Sequence, residues 1–206
     1  MPKVGIVDYG MGNLRSVEKG LQKVGAEAEL CADPERLSAF DGLVLPGVGA
    51  FGDAIDNLRS RGLDKALIDY ISNGGQFLGI CLGLQLLFDY SEEHGRNEGL
   101  GVIPGRVLRL PSTVKVPHMG WNVLNKKKDI PLFKGLTDGS RFYFVHSFYC
   151  EPAGEEWTIG TTSYGLEFTC AARKANVWGV QFHPEKSSLL GLKILKNFSA
   201  MAAESP

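Results

Sequence analysis

Cysteine is scarce, and Cys31, Cys81, Cys150 and Cys170 stand in no CxxC or other tight spacing. Neither a disulfide framework nor a zinc site follows from that pattern, and no metal site is expected. Three of the four read as core thiols; Cys81 stands apart for reasons given below. Charge of one sign is also missing: 22 basic residues face 23 acidic ones, for a net charge of −1, so nothing calls for a nucleic-acid partner. The only basic run, Lys126, Lys127 and Lys128, is too short and isolated to track phosphates and reads as a solvated loop. No apolar run approaches the roughly 18 residues of a membrane span. The first apolar strand starts so near Met1 that no signal peptide is expected before it, and the expected compartment is the cytoplasm. Repeats and low-complexity linkers are absent as well. A composition of 44% hydrophobic and 22% charged residues over 206 positions then suits one domain, residues 1–206, with a sizeable core.

What the chain does have is a regular beat of apolar runs and glycine turns. Lys3 to Asp8, rich in Val and Ile with little alternation, predicts a strand buried on both faces. Asn13 can cap a helix whose Leu14, Val17, Leu21 and Val24 recur at helical spacing before Gly25 stops it. The intervening Gly10-Met11-Gly12 would open a dinucleotide fingerprint, but its third glycine would fall on Arg15, so NAD and FAD are rejected and no cofactor is expected. Strands follow over Ala26 to Leu30, Gly42 to Leu45 and Gln76 to Ile80, with helices from about Asp53 to Leu58 and from Leu63 to Ile71. Beyond Val102 the pattern changes to short strands: Arg106 to Leu110, Trp121 to Leu124, Phe142 to Val145, Trp157 to Thr162, Phe168 to Ala172 and Val177 to Phe182. A last helix carries Leu190, Ile194, Leu195 and Phe198 on one face. The expected fold class is α/β, a mostly parallel central sheet flanked by helices, with additional antiparallel strands in the second half.

Two stretches carry chemistry. In Gly79-Ile80-Cys81-Leu82-Gly83 an apolar run ends at a cysteine with glycine two residues to either side, and an apolar helical run follows. This is the nucleophile-elbow pattern with Cys81 in the serine position. The flanking glycines remove collisions with the adjoining strand and helix, and a helix N-terminus favours negative charge on the sulfur. A lone cysteine there would be no more than a core residue. A hundred residues on, however, Val177 to Phe182 reads as a strand that delivers His183 at its end, held extended by Pro184, and Glu185 can curl back to accept from one imidazole nitrogen. Nucleophile, base and orienter are then all present. By elbow geometry the Leu82 N–H is one oxyanion donor, and the second comes from the loop after the third strand, Gly47-Val48-Gly49. Gly47 supplies the freedom for the Gly47–Val48 peptide to turn its N–H towards or away from the oxyanion.

Gly79-Ile80-Cys81-Leu82-Gly83-Leu84-Gln85, with Phe182-His183-Pro184-Glu185 far downstream, resembles the class I glutamine amidotransferases, and the resemblance covers almost the whole chain. It implies a flavodoxin-like α/β fold and a Cys-His-Glu glutaminase that hydrolyses L-glutamine through a thioester and passes ammonia to a synthase partner. It also implies substrate contacts from Gln85, Glu93 and the backbone around Ser147 and Phe148. Within the family, Asp8 to Asn13, Pro46 to Gly52, Pro117-His118-Met119-Gly120-Trp121-Asn122, Tyr143 to Ser147 and Pro184 to Ser188 are similar to the members whose partner is a (β/α)8-barrel cyclase. That similarity implies docking by Asn13, Trp121 and Asn122, a gate at Tyr143, and a contact of Lys186 with an acidic partner residue. The barrel would need roughly 250 further residues and is therefore a separate subunit, giving a heterodimer. A cysteine hydrolase or peptidase acting alone on γ-glutamyl substrates, a regulatory scaffold with a dead site, and the glutaminase subunit of a different synthase, for which Pro117 to Asn122 argues poorly, are the competing readings. The first would have no use for an aromatic docking patch, and the second leaves an intact triad to coincidence.

Overall fold

Short Val- and Ile-rich runs joined by glycine turns leave little choice but crossovers that return each strand parallel to the last. In the computed structural model, which describes residues 1–204, the first half runs β1 (Lys3–Val7), α1 (Leu14–Lys23), β2 (Glu27–Cys31), β3 (Gly42–Gly47), α2 (Phe51–Ser60), α3 (Leu63–Ser72), β4 (Gln76–Cys81) and α4 (Leu82–Leu86). Then follow β5 (Phe88–Ser91), β6 (Asn97–Glu98), β7 (Ile103–Arg109), β8 (His118–Lys126), β9 (Ser140–His146), β10 (Phe148–Pro152), β11 (Thr158–Ser163), β12 (Glu167–Lys174), β13 (Val177–Val180) and α5 (Ser188–Ala203). The strands lie in the order β2-β1-β3-β4-β13-β12-β10-β7-β5-β6. From β2 to β13 every pairing is parallel, and antiparallel strands begin at β12. A branch leaves β12 through β11 and β8 to β9. Hydrophobic cores fill both faces of the sheet. One is closed by Val17 and Leu21 of α1 with Ile194, Leu195 and Phe198 of α5, the other by Ala54, Ile55 and Leu58 of α2 with Leu63 and Leu67 of α3. Among the described residues no helix is long and apolar enough to cross a membrane.

The expected elements are present, with three differences. The helical run after Cys81 is only five residues long and gives way to β5, because Phe88 and Tyr90 pair with β7 and leave no path for the helix to continue. β5, β6 and β10 were not legible, since their partners lie far off in the chain and β6 is two residues long. Asn13 does precede α1, but its side chain makes no capping hydrogen bond.

Glycine sets how closely α4 approaches the sheet. A Cβ on Gly79 would lie 2.6 Å from the Gly83 carbonyl oxygen, and one on Gly83 would overlap the carbonyl oxygen of Leu45 on β3 outright. Both obstacles are backbone, which cannot swing aside. Gly83→Ala should therefore lower stability by about 1–3 kcal/mol or more and push α4 off the sheet. Thermal melting is the measurement; a melting temperature equal to wild type would show that the contact yields without cost.

Candidate active site

β4 ends and α4 begins at Cys81, whose φ of 55° and ψ of −108° put a residue with a Cβ in the left-handed half of backbone space. Such strain persists only where the surroundings enforce it, here through the close packing of α4 against β3 and β4. Gly47 pairs with Cys81 across the β3–β4 ladder and Val180 with Ile80 across β13–β4, so three parallel strands end at one edge of the sheet. This is where open α/β sheets collect ligands.

Two residues past the pairing of Val180, the chain reaches Phe182 and then His183, whose N–H donates to the Tyr143 carbonyl oxygen at 2.9 Å. Pro184 starts a single 3₁₀ turn, Pro184–Lys186, that folds Glu185 back under the ring. His183 Nδ1 lies 2.8 Å from Glu185 Oε1, with the two side chains only 2% and 1% exposed. A carboxylate only accepts, so Nδ1 carries the proton and Nε2 is left for the sulfur. Nε2 is buried without a partner in hydrogen-bonding geometry, while Cys81 Sγ lies 3.8 Å from the Val145 carbonyl oxygen and accepts from Gln181 Nε2 at 3.6 Å. Burial opposes the charge on His183, but the interactions with Cys81 and then Glu185 outweigh it and raise the pKa to about 10. No directional hydrogen bond joins His183 Nε2 to the sulfur; contacts of this kind tighten when substrate arrives.

A pocket of about 260 Å³ opens over Cys81 and is lined by Val48, Gly49, Leu82, Gln85, Glu93, Ser147 and Phe148. It is on the scale of one small amino acid. Leu82 is the first residue of α4, where backbone N–H groups have no intrahelical acceptor. Gly47 does not line the pocket: a Cβ there would lie 2.6 Å from Tyr9 Oη and 2.8 Å from Leu82 Cβ, so it is glycine for packing. In this loop positive φ falls at Gly49, at +111°, and not at Gly47. Gln85 is buried, and its Nε2 donates to the Phe148 carbonyl oxygen at 3.0 Å and to Gln181 Oε1 at 3.2 Å. Glu93, which lines the pocket, accepts the Phe51 N–H at the start of α2 at 2.7 Å. Sequence reasoning missed Gln181 and Tyr9. The strand expected to run to Phe182 ends at Val180, and Gln181, just beyond it, is polar where its neighbours are apolar, a signal that could have been used. Tyr9 is fully buried, donates to the Pro46 carbonyl oxygen at 3.0 Å, and is held as a phenol first by burial and then by the nearby Cys81 charge.

The residues expected at a docking surface divide. Trp121 and Tyr143 are paired across β8 and β9 with rings edge-to-face at 6.2 Å, and Trp121 is 50% exposed beside Met119 at 63%. Asn122 points to the other face of this ribbon, as strand alternation requires, where it donates to the Ser163 carbonyl oxygen at 2.9 Å. Lys186 is exposed next to Glu185, and Asn13 is half-buried before α1.

A strained elbow cysteine, a buried histidine–carboxylate pair and a small pocket over the sulfur together make up the arrangement of nucleophile, base and orienter. The glutamine amidotransferase class-I family model matches residues 5–201, and the chain belongs to that family. It is 51% identical over 201 residues to the imidazole glycerol phosphate synthase subunit HisH of Desulfitobacterium hafniense, covering 98% of this chain and 95% of the relative. For the HisH of Moorella thermoacetica the identity is 52% over 201 residues, with 98% and 96% covered. In fold it is similar to a glutamine amidotransferase crystal structure, at a TM-score of 0.77, 20% identity and coverage of 97% and 98%. The structure of PurLQS from Thermotoga maritima is similar at a TM-score of 0.76, 20% identity and coverage of 98% and 97%.

Because its pKa lies above the ordinary 6.5, the stabilisation from charged His183 is complete below pH 6.5 and is lost as pH climbs towards about 10. Cys81→Ala removes the first of the two attractive partners and leaves burial opposed by Glu185 alone, so the ring should titrate at lower pH. Following the His183 ring signal by NMR in both proteins checks this; an unchanged titration would show that the sulfur has no part in holding the proton.

Proposed function

We propose that this chain is the glutaminase subunit of imidazole glycerol phosphate synthase, acting in histidine biosynthesis in the cytoplasm, with all 206 residues serving one amidotransferase domain. The observation that carries the reading is the single pocket over Cys81, with His183 and Glu185 buried behind it. Identity of about half over nearly full length with HisH subunits supports the specific assignment.

L-Glutamine enters with its side-chain amide over the sulfur. The Cys81 thiolate attacks the amide carbon, and the oxyanion is met by the backbone N–H groups of Leu82 and of the Val48–Gly49 loop that Gly47 supports. Protonated His183, held in one tautomer by Glu185, delivers its proton to the departing nitrogen, and ammonia leaves. The thioester that remains is hydrolysed by water, which gives its proton to His183; glutamate is released and the thiolate is restored. Ser147 and Phe148 offer backbone groups to the substrate, Glu93 offers negative charge to its ammonium group, and Gln85 fixes the Phe148 carbonyl from behind. Ammonia freed at neutral pH is mostly protonated and lost to water, so a partner has to receive it. That partner is a (β/α)8-barrel cyclase subunit docking on the exposed Met119–Trp121 face near the pocket, with Asn13, Tyr143 and Lys186 around its edge and Asn122 bracing the ribbon from behind.

Cys81→Ser should abolish glutamine hydrolysis, because a hydroxyl in this site stays protonated and is a far weaker nucleophile, yet the complex should still turn over when supplied with ammonium salts. Glutamate release and synthase turnover are assayed in parallel; hydrolysis at wild-type rate would remove Cys81 from the mechanism. Trp121→Ala should weaken cyclase binding by about 2 kcal/mol, roughly thirtyfold in Kd, without unfolding the chain. Calorimetric titration decides it, and an unchanged Kd would reduce Trp121 to local packing.

A further inference from the structure

His118 and His146 belong to sequence motifs that the mechanism above leaves unused, and both are buried, at 3% and 6% exposure. Their rings are joined by a hydrogen bond of 2.9 Å between His118 Nδ1 and His146 Nε2. The other nitrogen of His146, Nδ1, lies 2.8 Å from the Phe148 carbonyl oxygen, and the other nitrogen of His118, Nε2, lies 3.3 Å from Asn122 Nδ2. One atom settles every proton in this row. The Phe148 carbonyl can only accept, so His146 carries its proton on Nδ1 and accepts at Nε2. His118 must then donate from Nδ1 and accept at Nε2, and the donor it meets is the Asn122 amide. That amide is itself fixed, since Asn122 Nδ2 also donates to the Ser163 carbonyl oxygen at 2.9 Å and Oδ1 accepts the Val123 N–H at 2.8 Å. Burial, the largest influence on each ring, lowers the pKa of His118 to about 4 and that of His146 to about 3, so both are neutral where the enzyme works.

The row does not stop at Phe148. The same carbonyl accepts Gln85 Nε2 at 3.0 Å; that amide also donates to Gln181 Oε1 at 3.2 Å, and Gln181 Nε2 donates to Cys81 Sγ at 3.6 Å. Every group from Asn122 to the sulfur is joined to the next in one consistent set of donors and acceptors. The corner between β9 and β10, residues 146–148, is the wall of the pocket that faces Cys81. Both lone pairs of the Phe148 carbonyl are occupied, one from the His146 side and one from the Gln85 side.

We propose that His118 is a positioning residue: through the fixed tautomer of His146 it holds the Phe148 carbonyl, and with it the 146–148 wall and the Gln85–Gln181 amides, in register with Cys81. Without the His118 donor, His146 Nε2 is a buried acceptor with no partner. Moving the proton to Nε2 offers no relief, since it exchanges the unpaired acceptor for an unpaired donor and turns a lone pair on Nδ1 against the Phe148 carbonyl. The inference rests on the glutaminase reading for its kinetic test but not for its structural one.

Ring stacking gives a clean contrast, because His118 also lies face to face with Tyr164 at 4.1 Å and with Phe144 at 5.0 Å. His118→Phe keeps the stack and loses the donor, whereas His118→Asn loses the stack and places an amide N–H where Nδ1 was. With the chain in complex with its cyclase partner, the Phe variant should lose about tenfold to a hundredfold in kcat/KM for glutamine, as expected when a buried acceptor is left unpaired, and the Asn variant should stay within about threefold of wild type. A Phe variant within threefold of wild type, or an Asn variant that falls as far as Phe, overturns the proposal and leaves packing as the role of His118. A second measurement needs neither substrate nor a variant that folds: nitrogen-15 NMR of the wild-type chain should show His146 and His118 neutral, each protonated at Nδ1. Protonation of His146 at Nε2 would overturn the row at once. A wild-type complex that makes no glutamate would overturn the functional reading instead, and the tautomer measurement would still decide this one.

Discussion

Gly83 sits so close to the Leu45 carbonyl that no side chain fits between them, and that single approach governs the site. It lets α4 start directly at the end of β4, which forces Cys81 into its left-handed backbone conformation and raises the sulfur above the sheet edge. The same approach brings Leu82 against Gly47, so the first N–H groups of α4 and the loop after β3 border one small pocket. Backbone packed on backbone cannot relax by a rotamer change, and the strain is held by the whole sheet rather than by a neighbour.

The second constraint is electrostatic. His183 and Glu185 are nearly sealed from water, so the ring's charge depends on two partners, one a carboxylate two residues away and the other a sulfur a hundred residues away in the chain. Pro184 joins the local half of this arrangement by turning the chain within one residue. Ser187 joins the distant half: its hydroxyl donates to the His183 carbonyl oxygen at 2.6 Å and accepts the Tyr143 N–H at 2.9 Å, which ties the base to β9. The ribbon of β8 and β9 thereby has three duties. Its outer face carries Trp121 and Met119, its inner face carries the hydrogen-bonded pair His118 and His146, and its end supplies the 146–148 wall of the pocket.

Cooperation between the two halves of the chain follows from sheet order. β13, from the second half, lies beside β4, from the first, and the register between them is continuous from Val177–Phe77 to Val180–Ile80. Base and nucleophile are therefore set by one ladder, and a slip of a single residue would turn His183 to the wrong face.

Much that is local was legible in the sequence: the glycine pair around Cys81, the proline that follows His183, the apolar periods of β1, β3, β4 and α5, and the family to which these belong. Each depends on residues a few positions apart, where sterics and periodicity act without help from the fold. Pairing partners decided the rest. The helix after Cys81 stops at Leu86 because β7 claims Phe88 and Tyr90, and β10 exists only because β7 and β12 flank it. Gln85 was expected to contact substrate, and β10 and Gln181 bury it and take its donors. Trp121 and Asn122, adjacent in one motif, face opposite ways because strand alternation separates them. The row from Asn122 to Cys81 joins six side chains from four distant stretches, and no spacing rule in a single chain could bring them together; only the closing of the sheet does.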